Sequence, residues 1–235
     1  MKILVIAAHP DDEVLGMGGT IKKLSTSGNE IKTIFLSTGI LARRPFESRV
    51  SDNVYTKRFL SQVDRKLKNL RREAKDAAKV LGVDQIDFLD FPDNEMDGIH
   101  LLKVVKVIEK EIKSAKPDRI YTNHYGDLNV DHKVVYNATL AACRPANFPV
   151  KEILSFEVLS STEWSYPYNF NPNYFINIEK HLEKKIGAMK LFVSEIRKFP
   201  HPRSSENIKH VARRWGSVSG FNAAEAFELI RCLDK

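Results

Sequence analysis

Apolar runs of strand length alternate with helix-like patterns through the first half of the chain. The run KILVIAA (2–8) is followed by apolar positions at helical spacing between Val14 and Leu24, and then by a second run, IKTIFLST (31–38). This order predicts a β-α-β unit, in which two parallel strands are joined by a right-handed crossover.

The same alternation predicts four further strands, with helices in the gaps between them. These strands are IDFLDF (86–91), RIYTN (119–123), ILSFEV (153–158) and YFINI (174–178). A strongly basic helix is expected at 64–81, where it either attracts a phosphate-bearing substrate or, as we favour, forms a solvated face. Two more helix-like stretches, EKHLEKKIGAMKLFVSEI (179–196) and AAEAFELIRCL (223–233), flank a loop, FPHPRSSEN (199–207).

Composition sets the broad class. With 235 residues, 43% of them hydrophobic, the chain can bury one full core. The net charge of +7 is compatible with an anionic partner, which could be a nucleic acid, a membrane surface or a phosphorylated small molecule, or with a mildly basic protein that needs no such partner. Cys143 and Cys232 lie far apart, and no apolar stretch reaches the roughly 18 residues of a membrane span, so a cytoplasmic location is expected.

An unusual polar cluster follows the first predicted strand. The stretch AAHPDDE places His9, Asp11, Asp12 and Glu13 where a strand meets a helix. Buried carboxylates repel one another and lose hydration, so the cluster needs a compensating positive charge, and a metal ion is the simplest candidate. A catalytic zinc ion commonly takes three protein ligands, so a third ligand should come from a later strand end.

The strand RIYTN supplies that ligand. It is followed by HYGDLNVDHKVV, in which Asp131 and His132 open a predicted helix. We take His132 as the third ligand and Asp131 as a residue that orients an imidazole, with His124 and Asp127 as rival ligands.

These motifs resemble those of the PIG-L/LmbE-like deacetylases, zinc-dependent enzymes that remove acetyl groups from N-acetylated amino sugars such as N-acetylglucosamine. Further stretches, including RREAKDAAKVLGV, FLDFPDNEMD, SFEVLSSTEW, FPHPRS and AAEAFELI, are similar to a bacterial subgroup associated with surface-polysaccharide and nucleotide-sugar biosynthesis. The resemblance implies that His9, Asp12 and His132 bind zinc and that Asp11 is the general base.

The sequence departs from the family at one position. Many members carry a second histidine three residues before the metal histidine, where this chain has Asn129. An asparagine amide can donate a hydrogen bond to an oxyanion but cannot deliver a proton. The acid role is therefore open, and His201 in FPHPRS, or less favourably His124, is the candidate replacement.

Substrate contacts are predicted at the ends of other strands, each beside a plainer alternative. Arg43, Arg44 and Arg49 could clamp a phosphate or lie in a solvated loop, and Asp93 and Asn94 could hold sugar hydroxyls or form an ordinary turn. Trp164 could stack on a sugar ring or belong to the core.

Three rival functions each have some support in the sequence. The stretch Gly16-Met17-Gly18-Gly19 suggests a dinucleotide-binding loop, but the acidic cluster occupies the place where such a loop should be. A nucleic-acid binder is suggested by charge alone. A hydrolase acting on another amide, such as a thiol-pathway or antibiotic glycoconjugate, remains open within the enzyme class.

The sequence thus predicts one α/β domain with a Rossmann-like, mainly parallel sheet flanked by helices. Residues 1–145 should form its core, and a strand and helix extension at 146–235 should shape the substrate cleft. The expected reaction is zinc-dependent deacetylation of a small, anionic amino sugar, with no nucleic-acid partner and no membrane span, and a homo-oligomer is compatible with the sequence. Iron or cobalt could replace zinc on this ligand set.

Overall fold

A seven-stranded sheet forms the centre of the protein. The structure is a computed structural model that describes residues 1–37, 39–40, 49–51, 54–55, 57–148 and 150–234; side chains are not described at 49–51, 54–55 and 57–60. The strand order is β5-β2-β1-β6-β7-β9-β8. The strands are β1 (Lys2–Ala7), β2 (Glu30–Ser37), β5 (Gln85–Phe91), β6 (Arg119–Asn123), β7 (Glu152–Phe156), β8 (Tyr174–Asn177) and β9 (Ala224–Cys232), and a small separate hairpin joins β3 (Arg49–Ser51) to β4 (Val54–Tyr55).

Helices cover both faces of the sheet. They are α1 (Asp12–Thr26), α2 (Lys57–Leu81), α3 (Leu101–Ala115), α4 (Val130–Ala142), α5 (Leu182–Leu191) and α6 (Ser205–Ser219). Strand β1 shows how the two layers arise, because Ile3 and Val5 join the core under α1, α2 and α5 whereas Leu4 and Ile6 join the core under α3 and α4. A strand buried on both faces reads as a continuous apolar run, which is why KILVIAA identified it. The predicted α/β fold with a mainly parallel sheet is confirmed.

The order of the strands fixes where a ligand can bind. Strands β1, β2, β5, β6 and β7 are parallel, and the chain runs outward from β1 in one direction through β2 to β5 and in the other through β6 to β7. The loops after β1 and β6 therefore diverge and leave a crevice at the carboxyl edge of the sheet. Both polar motifs lie on these two loops.

The C-terminal prediction was wrong in one element. The stretch AAEAFELIRCL forms strand β9, which pairs antiparallel with β7 and β8, and not the expected helix. Ala, Glu and Leu favour helices in isolation, but the alternating pattern lets Ala224 and Ala226 pack on one side and Phe227 on the other, and this packing overrides propensity.

One helix was not predicted, and another begins earlier than expected. Helix α6 begins at Ser205, inside the predicted loop, because the Ser204 side chain accepts a hydrogen bond from the Asn207 amide at 3.0 Å and caps it. Helix α2 begins at Lys57 and not at residue 64. In the described part of the chain, no helix is both long and apolar enough to cross a membrane.

Candidate active site

The loop after β1 is held in shape by its own carboxylates. Asp11 has a left-handed backbone (φ 111°), which is strained for a residue with a side chain. Its amide donates to Glu13 Oε2 at 3.1 Å, and the His9 amide donates to Asp12 Oδ2 at 2.9 Å. These two hydrogen bonds hold the carboxylates of Asp12 and Glu13 against the backbone of the loop.

The loop after β6 ends in a capped helix. Asn129 Oδ1 accepts a hydrogen bond from the Asp131 amide at 2.9 Å, which makes Asn129 the N-cap of α4. The cap places Asp131 and His132 in the first helical turn, where both are buried. Helix α4 thus presents His132 to the loop after β1.

His9, Asp12 and His132 converge on one point. His9 Nδ1 lies 3.3 Å from His132 Nε2, and Asp12 Oδ2 lies 3.2 Å from His132 Nε2 and 3.7 Å from His9 Nδ1. Ligand atoms of a tetrahedral zinc site with bonds of about 2.0–2.1 Å are separated by about 3.3–3.4 Å. The donor types and their spacing therefore fit a zinc-sized divalent ion, with all three residues buried.

Each imidazole faces at least one carboxylate on its far side. His132 Nδ1 lies 3.0 Å from Asp127 Oδ2, and His9 Nε2 lies 3.0 Å from Asp131 Oδ2 and 3.2 Å from Asp93 Oδ1. A proton held on each outward nitrogen leaves the inward nitrogen as a lone-pair donor.

A second group, His9 with Asp93 and Asp131, also has metal-ligating atoms close together. Its geometry is explained without an ion. The Asp131 carboxylate already accepts hydrogen bonds from the backbone amides of Asn94, at 2.7 Å, and Met96, at 3.1 Å. We therefore interpret these carboxylates as the support that orients His9.

Electrostatics at the three converging residues follow from burial and charge. Burial lowers the pKa of His132, but the carboxylates of Asp12 and Asp127 outweigh it and raise that pKa to about 9. Burial disfavours the charged form of Asp12, yet His132 and His9 hold its pKa well below the usual range. In the absence of a cation, the cluster therefore holds protons that a metal ion would have to displace.

Asp11 lies beside the converging residues and forms an ion pair with a cation from the C-terminal part of the chain. Its Oδ2 is 3.0 Å from Arg203 Nη1, and the same nitrogen pairs with Glu195 Oε2. Burial raises the pKa of Asp11 to about 7, against the lowering effect of the Arg203 guanidinium. A carboxyl group with this pKa can both accept and release a proton near neutral pH.

A polar pocket of about 90 Å³ opens over the site. It is lined by residues from both halves of the chain: His9, Pro10, Asp11, Asp12, Gly39, Asp93, Asn94, Asn129, His132, Ser160, Ser161, Glu195 and Arg203. The space is small and holds a group the size of an acetamide more readily than a whole sugar, so the rest of a substrate would lie outside it.

His124 and Trp164 do not line this pocket. His124 is buried with Nε2 3.2 Å from Asn169 Oδ1. Trp164 is half-exposed, with its ring edge-on to that of His201 at 6.0 Å between centroids. Arg43 and Arg44 lie outside the described residues, and of Arg49 only the backbone in β3 is described.

Asn129 and Asp93 lie in the wall but have partners of their own. Asn129 Nδ2 donates to Asn94 Oδ1 at 2.8 Å, while its Oδ1 caps α4. Asp93 faces His9, which is a different role from the predicted contact with a sugar hydroxyl.

All wall residues from the C-terminal third were missing from the predicted site: Ser160, Ser161, Glu195 and Arg203. Ser160 and Ser161 lie in the motif SFEVLSSTEW, where the predicted site residue is Trp164. Arg203 lies in FPHPRS, where the predicted site residue is His201. In the structure, His201 Nδ1 accepts a hydrogen bond from the Arg203 amide at 3.1 Å.

Comparison with known proteins gives a consistent result. Residues 4–143 match the family model PIG-L, described as GlcNAc-PI de-N-acetylase. The chain is 27% identical over 236 residues to the diacetylchitobiose deacetylase of Thermococcus kodakarensis, covering 97% of this chain and 83% of that protein. It is 30% identical over 194 residues to the uncharacterized deacetylase YaiS of Escherichia coli (strain K12), covering 80% and 88%. Among solved structures, a conserved protein of Thermus thermophilus superposes with a TM-score of 0.76 at 20% identity, covering 100% of this chain and 97% of that one.

Proposed function

The chain belongs to the PIG-L family, and from this premise we propose that it is a metal-dependent N-deacetylase acting on the acetamide group of an amino sugar. Hydrolysis would release the free amine and acetate. The observation that carries the proposal is the convergence of His9, Asp12 and His132 at the floor of a pocket whose wall includes Asp11.

The proposed metal ligands are His9 Nδ1, His132 Nε2 and Asp12 Oδ2. Two imidazoles and one carboxylate suit zinc, and iron or cobalt could use the same ligands. A divalent ion bound there would lower the pKa of a water molecule and draw electron density from the amide carbonyl. Asp131 and Asp93 would orient one histidine ligand and Asp127 the other.

Asp11 is the proposed general base. Its carboxylate would accept a proton from the attacking water and then return it to the departing amine. The pKa near 7 that burial gives Asp11 supports both directions of transfer. Asn129 cannot supply the proton, so its contribution is limited to a hydrogen bond, and the acid role of His201 stays a prediction.

The substrate is proposed to be a small acetylated amino sugar. The T. kodakarensis relative is named for a diacetylated chitobiose, which carries the same acetamide group. Residues 146–235 are proposed to shape the cleft, with Ser160 and Ser161 in the wall and Trp164 further out for stacking on a sugar ring. Asn94 and the predicted clamp of Arg43, Arg44 and Arg49 would then contact hydroxyls or a phosphate. We propose no substrate contact for His124, because it is buried and bonded to Asn169.

Amine release from a defined panel tests the proposal. Zinc-loaded protein would be incubated with N-acetylglucosamine, N,N'-diacetylchitobiose and UDP-N-acetylglucosamine, and both primary amine and acetate would be quantified. We expect equal amounts of the two products from at least one sugar and none from chelator-stripped protein, and we expect Asp11→Asn to be slower than wild type by about 100-fold or more. Turnover by Asp11→Asn equal to wild type would contradict the role of Asp11.

A further inference from the structure

We propose that Arg203 is a positioning residue for catalysis, held by Glu195 and Ser160 so that it fixes the carboxylate of Asp11. The inference rests on the proposed function, because it assigns a role toward the proposed base. It concerns residues outside the range 4–143 that the family model matches, and so gives the C-terminal part of the chain a direct part in the chemistry.

Arg203 joins two buried acids that would otherwise repel each other. Asp11 and Glu195 are 2% and 5% exposed, and both contact Arg203 Nη1. Arg203 Nε donates to Ser160 Oγ at 2.6 Å. The guanidinium therefore hydrogen-bonds to Ser160 and Glu195, which set its orientation, and forms an ion pair with Asp11.

The backbone that carries Arg203 is also anchored. The Arg203 carbonyl accepts from the Arg197 amide at 3.4 Å, and the Arg203 amide donates to His201 Nδ1 at 3.1 Å. The next residue, Ser204, caps helix α6. Arg203 thus projects from a short closed loop that is fixed to the start of a helix.

Asp11 needs support from outside its own loop. Its left-handed backbone is held by Glu13 on the amide side, but Glu13 and Asp12 are both acids and repel its carboxylate. Arg203 supplies an attraction, because its Nη1 forms an ion pair with Asp11 Oδ2. When Oδ2 is held in place, the direction of the other Asp11 oxygen is restricted as well. That direction determines whether this oxygen is aligned to accept a proton from the attacking water.

Two other roles for Arg203 give different results. A purely structural residue would lower thermal stability and metal content together. A substrate-binding residue would raise KM and leave kcat unchanged. A positioning residue lowers kcat, leaves KM and metal content near wild type, and has no effect once Asp11 is gone.

The experiment is a double-mutant cycle on the zinc-loaded full chain. Arg203→Met, Asp11→Asn and the double variant would be assayed on the best acetylated sugar of the panel, with metal content and thermal unfolding measured on each preparation. Arg203→Lys keeps the positive charge, and Glu195→Gln keeps the size of the side chain. These two variants still test the inference if Arg203→Met does not fold. Arg213→Met, which removes an exposed arginine of α6, is the matched control.

We expect Arg203→Met to lower kcat by about 100-fold with KM changed less than about threefold, since a misplaced reacting group costs a factor of this size. Arg203→Lys should recover part of that loss, Glu195→Gln should lose less than Arg203→Met, and the double variant should be no slower than Asp11→Asn alone. An unchanged kcat in Arg203→Met, an effect on KM alone, or losses that multiply in the double variant would overturn the inference. If wild type and Arg213→Met release amine and Asp11→Asn does so far more slowly, the proposed function stands whichever result Arg203→Met gives.

Discussion

At the scale of single residues, the outward-facing nitrogen of each proposed histidine ligand is the feature that decides metal affinity. Asp127 lies 3.0 Å from His132 Nδ1 and is itself held by Ser161 and by Thr162 Oγ1 at 2.8 Å. A carboxylate in this position fixes the tautomer and the angle of the imidazole. Sequence reasoning found Asp127 only as a rival ligand, since spacing alone does not separate a ligand from its support.

We predict that Asp127→Asn weakens zinc binding by about 10- to 100-fold, because the amide no longer stabilises a proton on His132 Nδ1. Competition against a fluorescent zinc chelator would measure the change. Asp76→Asn, an exposed position on α2, is the matched control and should bind as wild type. Equal affinity in Asp127→Asn and wild type would mean that Asp127 does not support the site.

Stability of the metal-free protein should depend on pH through the same cluster. The pKa of His132 is raised from 6.5 to about 9, so its stabilising contribution is fully present below pH 6.5 and is lost as pH rises through 9. The pKa of Asp12 is lowered, so its contribution is present above about 3.8 and is lost as pH falls below that value.

Zinc must displace the proton on His132, so its binding should strengthen as pH rises. We predict that the increase in Tm produced by a fixed zinc concentration grows between pH 6 and 8.5, as measured by differential scanning fluorimetry on chelator-treated protein. His132→Ala should show little increase at any pH. A zinc-induced shift in wild type that is the same across this range would contradict the linkage.

At the scale of elements, helix α1 places Asp12 by packing unusually close to the sheet. A Cβ at Gly16 would lie 2.3 Å from Phe156 Cδ2 and 2.7 Å from the Glu157 carbonyl oxygen. The helix also departs from helical geometry at Met17, which leaves the Gly19 and Thr20 amides to donate to Glu225 at 2.9 and 2.6 Å. The glycine-rich stretch therefore serves the close packing of α1 on the sheet.

Gly16→Ala should destabilise the protein by about 1–3 kcal/mol, the usual cost of overpacking a core, and should reduce metal content by displacing Asp12. Gly187→Ala is the control, because a Cβ there meets nothing within 4 Å in helix α5, and alanine should raise stability by up to about 1 kcal/mol. Urea unfolding of both variants measures the difference. A Gly16→Ala variant as stable as wild type would show that the close approach is not required.

Helices and strands could be predicted from the sequence where a local pattern alone determines the structure. Strand β1 follows from a buried apolar run, and helix α4 follows from apolar residues at helical spacing, such as Val135 and Ala138; both signals are local. Strand β9 was misassigned because its composition favours a helix, and only its pairing with β7 and β8 makes it a strand. That pairing joins parts of the chain far apart in sequence.

At the scale of the whole molecule, the sheet and one core cross the boundary at residue 145. Strand β7 pairs with β6, and Phe156, Ile186 and Phe192 lie in the same core as Val5 and Leu15. The metal motifs could be predicted because each lies on one short loop, whereas the contact of Arg203 with Asp11 joins residues nearly the whole chain apart and has no local pattern.

A fragment of residues 1–145 should therefore fail to fold on its own. Removing β7, β8 and β9 takes away the strand that pairs with β6 on one side, so β6 becomes an exposed edge of the sheet. The fragment also lacks α5 and α6, so the core that these helices cover is exposed. We predict no cooperative transition for the fragment in thermal unfolding followed by circular dichroism, against a single transition for the full chain. A cooperative fragment would divide the protein into two domains and contradict the single-domain proposal.

The central claim, that His9, Asp12 and His132 hold a metal ion, is tested most directly by elemental mass spectrometry on tag-free protein beside His132→Ala prepared in the same way. The account predicts about one zinc per wild-type chain and a large loss in the variant. Wild-type protein that contains no metal and takes up none when zinc is offered would contradict it.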